Sequence, residues 1–186
     1  MGVSRRRRSQ FFRRNCARYA DRPKGRCLII KHLSLTNFRN YAALELELPP
    51  RVVIVRGDNA QGKSNLLEAI YFLSTSRTPH TTTDRELIHW GKEGKDVWGA
   101  RLLTNVNRAK DEVRLEITLL QDTQLLLSRR GSGTRKRIQI NGVARRASDL
   151  VGQVKVVMFS PQDIDVVSGA PNLRRHYLDI TNSQLD

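Results

Sequence analysis

The sequence predicts an α/β fold of the P-loop type, and three neighbouring features carry that prediction. Gly57-Asp58-Asn59-Ala60-Gln61-Gly62-Lys63-Ser64 fits the pattern G-x-x-x-x-G-K-[ST]. The β-branched run Arg51–Arg56 stands directly before it, and Asn65–Leu73 follows with apolar residues at helical spacing. The pattern alone arises by chance in roughly one chain in a hundred of this length, and the flanking strand and helix signals lower that further.

The residue types suit phosphate binding. Gly57 and Gly62 have no Cβ, so the chain can turn tightly and aim successive N–H groups at phosphate oxygens, with the helix N-terminus adding its positive end. Lys63 is the candidate catalytic residue, reaching the β- and γ-phosphates of ATP, and Ser64 offers its hydroxyl to Mg²⁺. The predicted nucleotide-binding set is Gly57, Asp58, Asn59, Ala60, Gln61, Gly62, Lys63, Ser64 and Asn65. A glycine-rich turn that only caps a helix is the bland alternative.

Element by element, Leu28–Leu35 is strand-like, Asn37–Tyr41 is a turn, and Ala43–Leu48 alternates with period two, giving an opening antiparallel pair. Pro49-Pro50 ends the second strand, and Arg51–Arg56 is expected to be a buried strand feeding the loop. After the helix, Ser76–Thr83 is polar, and Asp84 is placed to N-cap a short helix through Trp90. Further strands are expected over Val97–Val106, Glu112–Leu120, Gln124–Arg129 and Arg137–Ile140. Asn141-Gly142 signals a type I′ hairpin turn. Ala147–Val151 is one helical turn, Val154–Phe159 a buried strand, and Leu173–Leu185 a closing helix. A β-rich insert after the loop helix differs from the regular helix–strand alternation of small nucleoside kinases.

The chain has 186 residues and a net charge of +15, unevenly placed. Residues 1–27 hold ten Lys/Arg and one acidic residue, leaving 23 basic against 17 acidic residues beyond Cys27. This first segment, with Arg5–Arg8 and Arg13-Arg14, has too few aliphatic residues to collapse and is predicted to be a disordered basic extension. It is compatible with a transit peptide, a nucleic-acid-binding arm or an upstream start codon, whereas export is disfavoured because no apolar region follows the arginines. Both cysteines, Cys16 and Cys27, lie in that segment, so the body folds without disulfides, which suits a reducing, cytoplasmic setting. No apolar run reaches membrane-spanning length, and no membrane partner is expected. The basic excess favours a nucleic-acid partner through phosphate contacts.

Leu33–Tyr41 and the loop with its continuation Asn65-Leu66-Leu67-Glu68-Ala69-Ile70 resemble the start of the RecF family of DNA replication and repair proteins. Ser76-Arg77-Thr78, Asp84–Ile88, Gln139–Gly142, Phe159–Asp163, Gly169, Arg174-Arg175 and Leu178-Asp179 extend the resemblance from about Ile29 to Asp186. It implies the N-terminal portion of an ABC-type ATPase head related to SMC proteins, with an antiparallel β-subdomain at about residues 97–145. It also implies ATP-dependent dimerisation with a second head, binding to DNA, single- or double-stranded, and joint action with RecO and RecR. Family members begin near Leu28, which favours the start-codon reading of residues 1–27. A complete head continues beyond this length and carries an LSxGQ-type signature and a Walker B strand. Ser168-Gly169-Ala170 and Gly152-Gln153 are too partial to be that signature.

By the same resemblance Arg39 contacts nucleotide phosphate, Asn59 supports the loop, and Gln162 is a Q-loop residue sensing Mg²⁺ and water. The alternative for Arg39 is a surface pair with a carboxylate such as Glu45. Asp163 follows the apolar run but is separated from it by Ser160, Pro161 and Gln162, unlike a Walker B carboxylate. His32, His80, His89 and His176 show no metal-ligand spacing. Two rival readings stay open: a small self-sufficient phosphotransferase using Asp163, and a non-catalytic fragment.

Overall fold

The structure, a computed structural model, describes residues 28–50, 52–78, 83–89, 99–108, 111–121 and 134–184. The basic segment 1–27, the expected strand Gln124–Arg129, and Trp90 and Trp98 lie outside the described residues.

Strand β1 (Ile29–Phe38) turns back through Arg39-Asn40 into β2 (Tyr41–Glu47), with Leu35 opposite Leu44 and Phe38 opposite Tyr41. Helix α1 spans Lys63–Thr75. The chain then forms β3 (Gly99–Asn107), β4 (Glu112–Gln121), β5 (Thr134–Ile140) and β6 (Val143–Arg145). All six strands join one antiparallel sheet in the order β2-β1-β3-β4-β5-β6, so the opening pair and the later strands are continuous. Asn141 and Gly142 both have positive φ, 52° and 79°, as a type I′ turn demands, and they set the β5–β6 register.

Period-two alternation gives the sheet two unlike faces. One carries Leu33, Leu35, Leu102, Leu115, Ile117, Leu119 and Ile138, all buried, and α1 covers it with Leu66, Ala69, Phe72 and Leu73. Each fully buried leucine stabilises this layer by roughly 2 kcal/mol. The opposite face carries Arg101, Arg114, Thr118 and Arg137 toward solvent.

Two expected strands are not strands among the described residues. Val52–Arg56 and Val154–Phe159 are irregular, Val154 lying in a bend, yet their burial alternates as a strand's should, with Val53 and Val55, or Val154 and Val156, turned inward. Neither has a ladder partner, and Val52, Ile54, Val157 and Phe159 are exposed. Alternation is a property of the sequence, whereas a strand exists only when neighbours take its N–H and C=O groups. One such group is met otherwise: the Val156 N–H donates to the Gln184 side chain at 2.8 Å.

Past the sheet come α2 (Ala147–Leu150), a 3₁₀ turn (Pro161–Asp163), α3 (Ile164–Ser168) and α4 (Pro171–Asn182). α4 starts at Pro171, two residues earlier than expected, because proline fits the first helical position. The short helix near residue 84 is a 3₁₀ turn, Asp84–Leu87, whose N-cap is Thr83 rather than Asp84. Asp84 instead pairs with Lys136 of β5 at 3.0 Å.

Candidate functional site

The loop between Gly57 and Gly62 delivers the chain to the N-terminus of α1. Gly62 is the N-cap at φ 96°, a left-handed conformation that strains any residue bearing a Cβ. No side chain caps this end and its first turn holds no acidic residue, so the positive end of a 13-residue helix faces the loop. Ser64 is exposed on that first turn. Lys63 folds back across the loop, its Nζ donating to Gly57 O at 2.8 Å and Asp58 O at 2.6 Å. Ala60 turns the intervening loop at φ 61°.

The β1–β2 turn is seated against this loop. The Tyr41 hydroxyl donates to Gly62 O at 3.1 Å, and burial raises its pKa, keeping the phenol a donor. Asn40 accepts a hydrogen bond from Asn65 at 2.9 Å. Its amide also lies 2.6 Å from where a Cβ on Gly62 would sit, so a larger residue there would be strained by φ and would push the Asn40 side chain aside.

Behind the loop lies a buried ion pair. Arg39 Nε and Nη2 donate to the two oxygens of Glu68 at 2.9 and 2.8 Å, and Arg39 Nη1 donates to Glu86 O at 3.0 Å. Glu68 is 2% exposed and also accepts from the Thr78 hydroxyl at 2.6 Å. Arg39 itself has φ 50°, and its carbonyl accepts from His89 Nδ1 at 2.5 Å, which fixes that tautomer. The carboxylate beside Arg39 is therefore Glu68 and not Glu45, which instead binds Ser34 and His32 at 2.6 and 2.7 Å. Sequence reasoning passed over Glu68, although an acid amid Leu66, Ala69, Phe72 and Leu73 is itself a sign of a buried partner.

Gln162 has its backbone in the 3₁₀ turn after the irregular segment Val154–Phe159. Asp163 accepts a hydrogen bond from the Ser160 N–H, which spends its carboxylate on closing that turn. No group of three potential metal-binding side chains occurs among the described residues.

The chain that carries this loop has counterparts among known proteins. Residues 29–166 match the family described as the RecF/RecN/SMC N terminal domain. The chain belongs to that family. Similar members include the DNA replication and repair protein RecF of Roseiflexus castenholzii, 45% identical over 162 residues, and that of Chloroflexus aurantiacus, 43% identical over 166. In both cases 86% of this chain is covered but only 41% of the relative, so the chain spans about two fifths of the curated relatives' length.

Among solved structures, a RecF described with ATP in the RecFOR pathway aligns with TM-score 0.72 at 31% identity, covering 87% of this chain and 41% of that one. A structure from work on ATP-driven dimerisation and DNA-stimulated activation of SMC ATPases aligns with TM-score 0.58 at 19% identity, and so shares the fold. It covers 81% of this chain and 98% of its own. The fold is thus that of the N-terminal, P-loop portion of an SMC/RecF-type ATPase head. No helix among the described residues is long and apolar enough to cross a membrane.

Proposed function

We propose that this chain supplies the ATP-binding portion of a RecF-type DNA repair and replication ATPase. The observation that carries the reading is the uncapped start of α1 behind Gly62, with Lys63 and Ser64 in its first turn, on a family fold whose RecF relatives reach 45% identity. These groups fit a Mg²⁺-bound triphosphate, which when bound supplies the phosphoryl group whose hydrolysis resets the head. Gly57, Asp58, Asn59, Ala60, Gln61 and Gly62 provide backbone N–H groups. Lys63 exchanges the Gly57 and Asp58 carbonyls for phosphate oxygens, and Asn65 braces the loop through Asn40.

Ser64 is proposed to hold the metal, and Gln162 to sense it from the turn at Pro161–Asp163. Arg39 anchors the β1–β2 turn through Glu68. A direct bond from it to phosphate means trading one anion for another, which its planar fork allows. The proposed partners are a second head joined in an ATP-dependent homodimer, DNA, and RecO and RecR. Coupling among them follows if ATP binds the joined state more tightly than the separate one. Residues 1–27 remain proposed as a basic extension without an assigned role. A cytoplasmic location is proposed with the rest.

The test is ATP binding and hydrolysis by the purified chain, with and without duplex DNA, beside Lys63→Ala. Binding that drops at least tenfold in Lys63→Ala, without turnover, is the expected result. Turnover that needs both Lys63 and Asp163 would replace this reading with a self-sufficient phosphotransferase.

A further inference from the structure

We propose that the solvent face of β3, β4 and β5 is a phosphate-contact surface for duplex nucleic acid. The inference rests on the reading above that the chain acts on DNA, and it assigns that contact to a place distant in sequence from the P-loop. Along this face run Arg101 on β3, Arg114 on β4, and Arg135 and Arg137 on β5, interspersed with Thr118 and Gln139. Two carboxylates share it: Glu116, which accepts from Arg101 at 2.7 Å and lies 3.5 Å from Arg114, and Glu112 at the far end of β4, which lies 4.0 Å from Lys31. Glu116 thus braces two guanidinium groups, and the four arginines outnumber the two carboxylates, leaving the face positive toward its β5 side.

Arg135 and Arg137 have no carboxylate partner among the described residues. The basic triplet Arg135-Lys136-Arg137 is split by the pleat. Lys136 turns inward to Ser76, Asp84 and the Phe72 ring, while its neighbours point out. Two cations held outward on a strand whose register is set by β4 lose less freedom when they meet an anion than cations on a free loop would.

Spacing and chemistry select the occupant. Arg101, Thr118 and Arg137 share one register row, so the two arginines stand about 10 Å apart. Arg114 and the Arg135 level are six residues apart along β4, roughly 20 Å, or about six base-pair rises. A protein partner would call for an apolar anchor at the centre, but Leu103 is buried and only Leu120, at the margin, is partly open. Single strands are held by stacking on aromatic rings, and β3, β4 and β5 contain none. An arginine-rich sheet face without apolar anchors or rings matches the phosphates of a duplex, contacted without reading its sequence.

The experiment measures binding of a 30-base-pair duplex to the full chain by fluorescence anisotropy across about 50 to 200 mM salt. Arg135→Gln with Arg137→Gln is expected to weaken binding about tenfold at the low end and to flatten the log–log salt slope by about 1.8, near 0.9 per lost contact. The Lys pair at the same positions should keep most of the slope. Arg85→Gln with Lys155→Gln, equal in charge but elsewhere on the surface, should change it far less. Each variant is checked by thermal melting and by ATP binding. If the double variant folds poorly, Arg137→Gln alone must lower the slope by about 0.9.

A double variant that behaves like the Arg85/Lys155 control overturns the surface and leaves the DNA-repair reading standing. A parent chain with no duplex binding at the lowest salt overturns both. Single-stranded DNA bound as tightly and weakened equally would overturn the duplex assignment.

Discussion

At Glu68 a carboxylate is sunk beside the core and made tolerable only by Arg39 and Thr78. Taking a charge out of water is costly, so removing one member of the pair should hurt more than replacing both. Glu68→Ala is expected to destabilise the chain by about 3 kcal/mol. The double replacement Arg39→Met with Glu68→Leu should recover part of that loss, as read from urea unfolding midpoints. Glu116 is a milder case. Its bond to Arg101 holds its pKa below the usual carboxylate value, ahead of the upward pull of burial. A depressed pKa means that the contribution is complete above the unfolded value of about 4.3 and is lost as pH falls through the folded one. Wild type should therefore lose more stability on acidification from about pH 5 than Glu116→Gln. The difference should stay under about 1 kcal/mol, because Arg101 is half exposed.

Among the elements, the sheet and α1 are joined at the helix C-terminus by Lys136. Its ammonium donates to Ser76 O at 2.8 Å, pairs with Asp84 at 3.0 Å and lies 4.8 Å from the Phe72 ring centroid. It thus meets a bare carbonyl at the negative end of α1, a carboxylate and an aromatic face. Lys136→Met keeps the stem and removes the charge, and a loss of about 2 kcal/mol in chemical denaturation is the expected outcome. The antiparallel strands were legible because their apolar alternation is regular and because Asn141-Gly142 specifies its own turn. Lys136 was not, since in sequence it is one of three adjacent cations, and only the pleat turns it inward.

At the scale of the molecule, the sheet and α1 form a packed layer on one side, while Val52, Ile54, Val157 and Phe159 stand exposed on two irregular segments. Apolar alternation facing water on unladdered backbone is adhesive. Val157→Ser with Phe159→Ser should lower concentration-dependent self-association in sedimentation velocity while shifting the thermal midpoint by no more than a few degrees. Local sequence encodes the glycine-bounded loop, the helix after it and the hairpin at Asn141-Gly142. Each of these is a local choice of glycine, spacing or alternation, and its physics acts over a few residues. Tertiary structure alone decided that Arg39 meets Glu68, that Asn40 fills the space over Gly62, and that the β5 arginines part from Lys136. It also decided that two strand-like runs stay unpaired. Those outcomes depend on which distant groups the chain brings within hydrogen-bonding reach, and no local pattern encodes that.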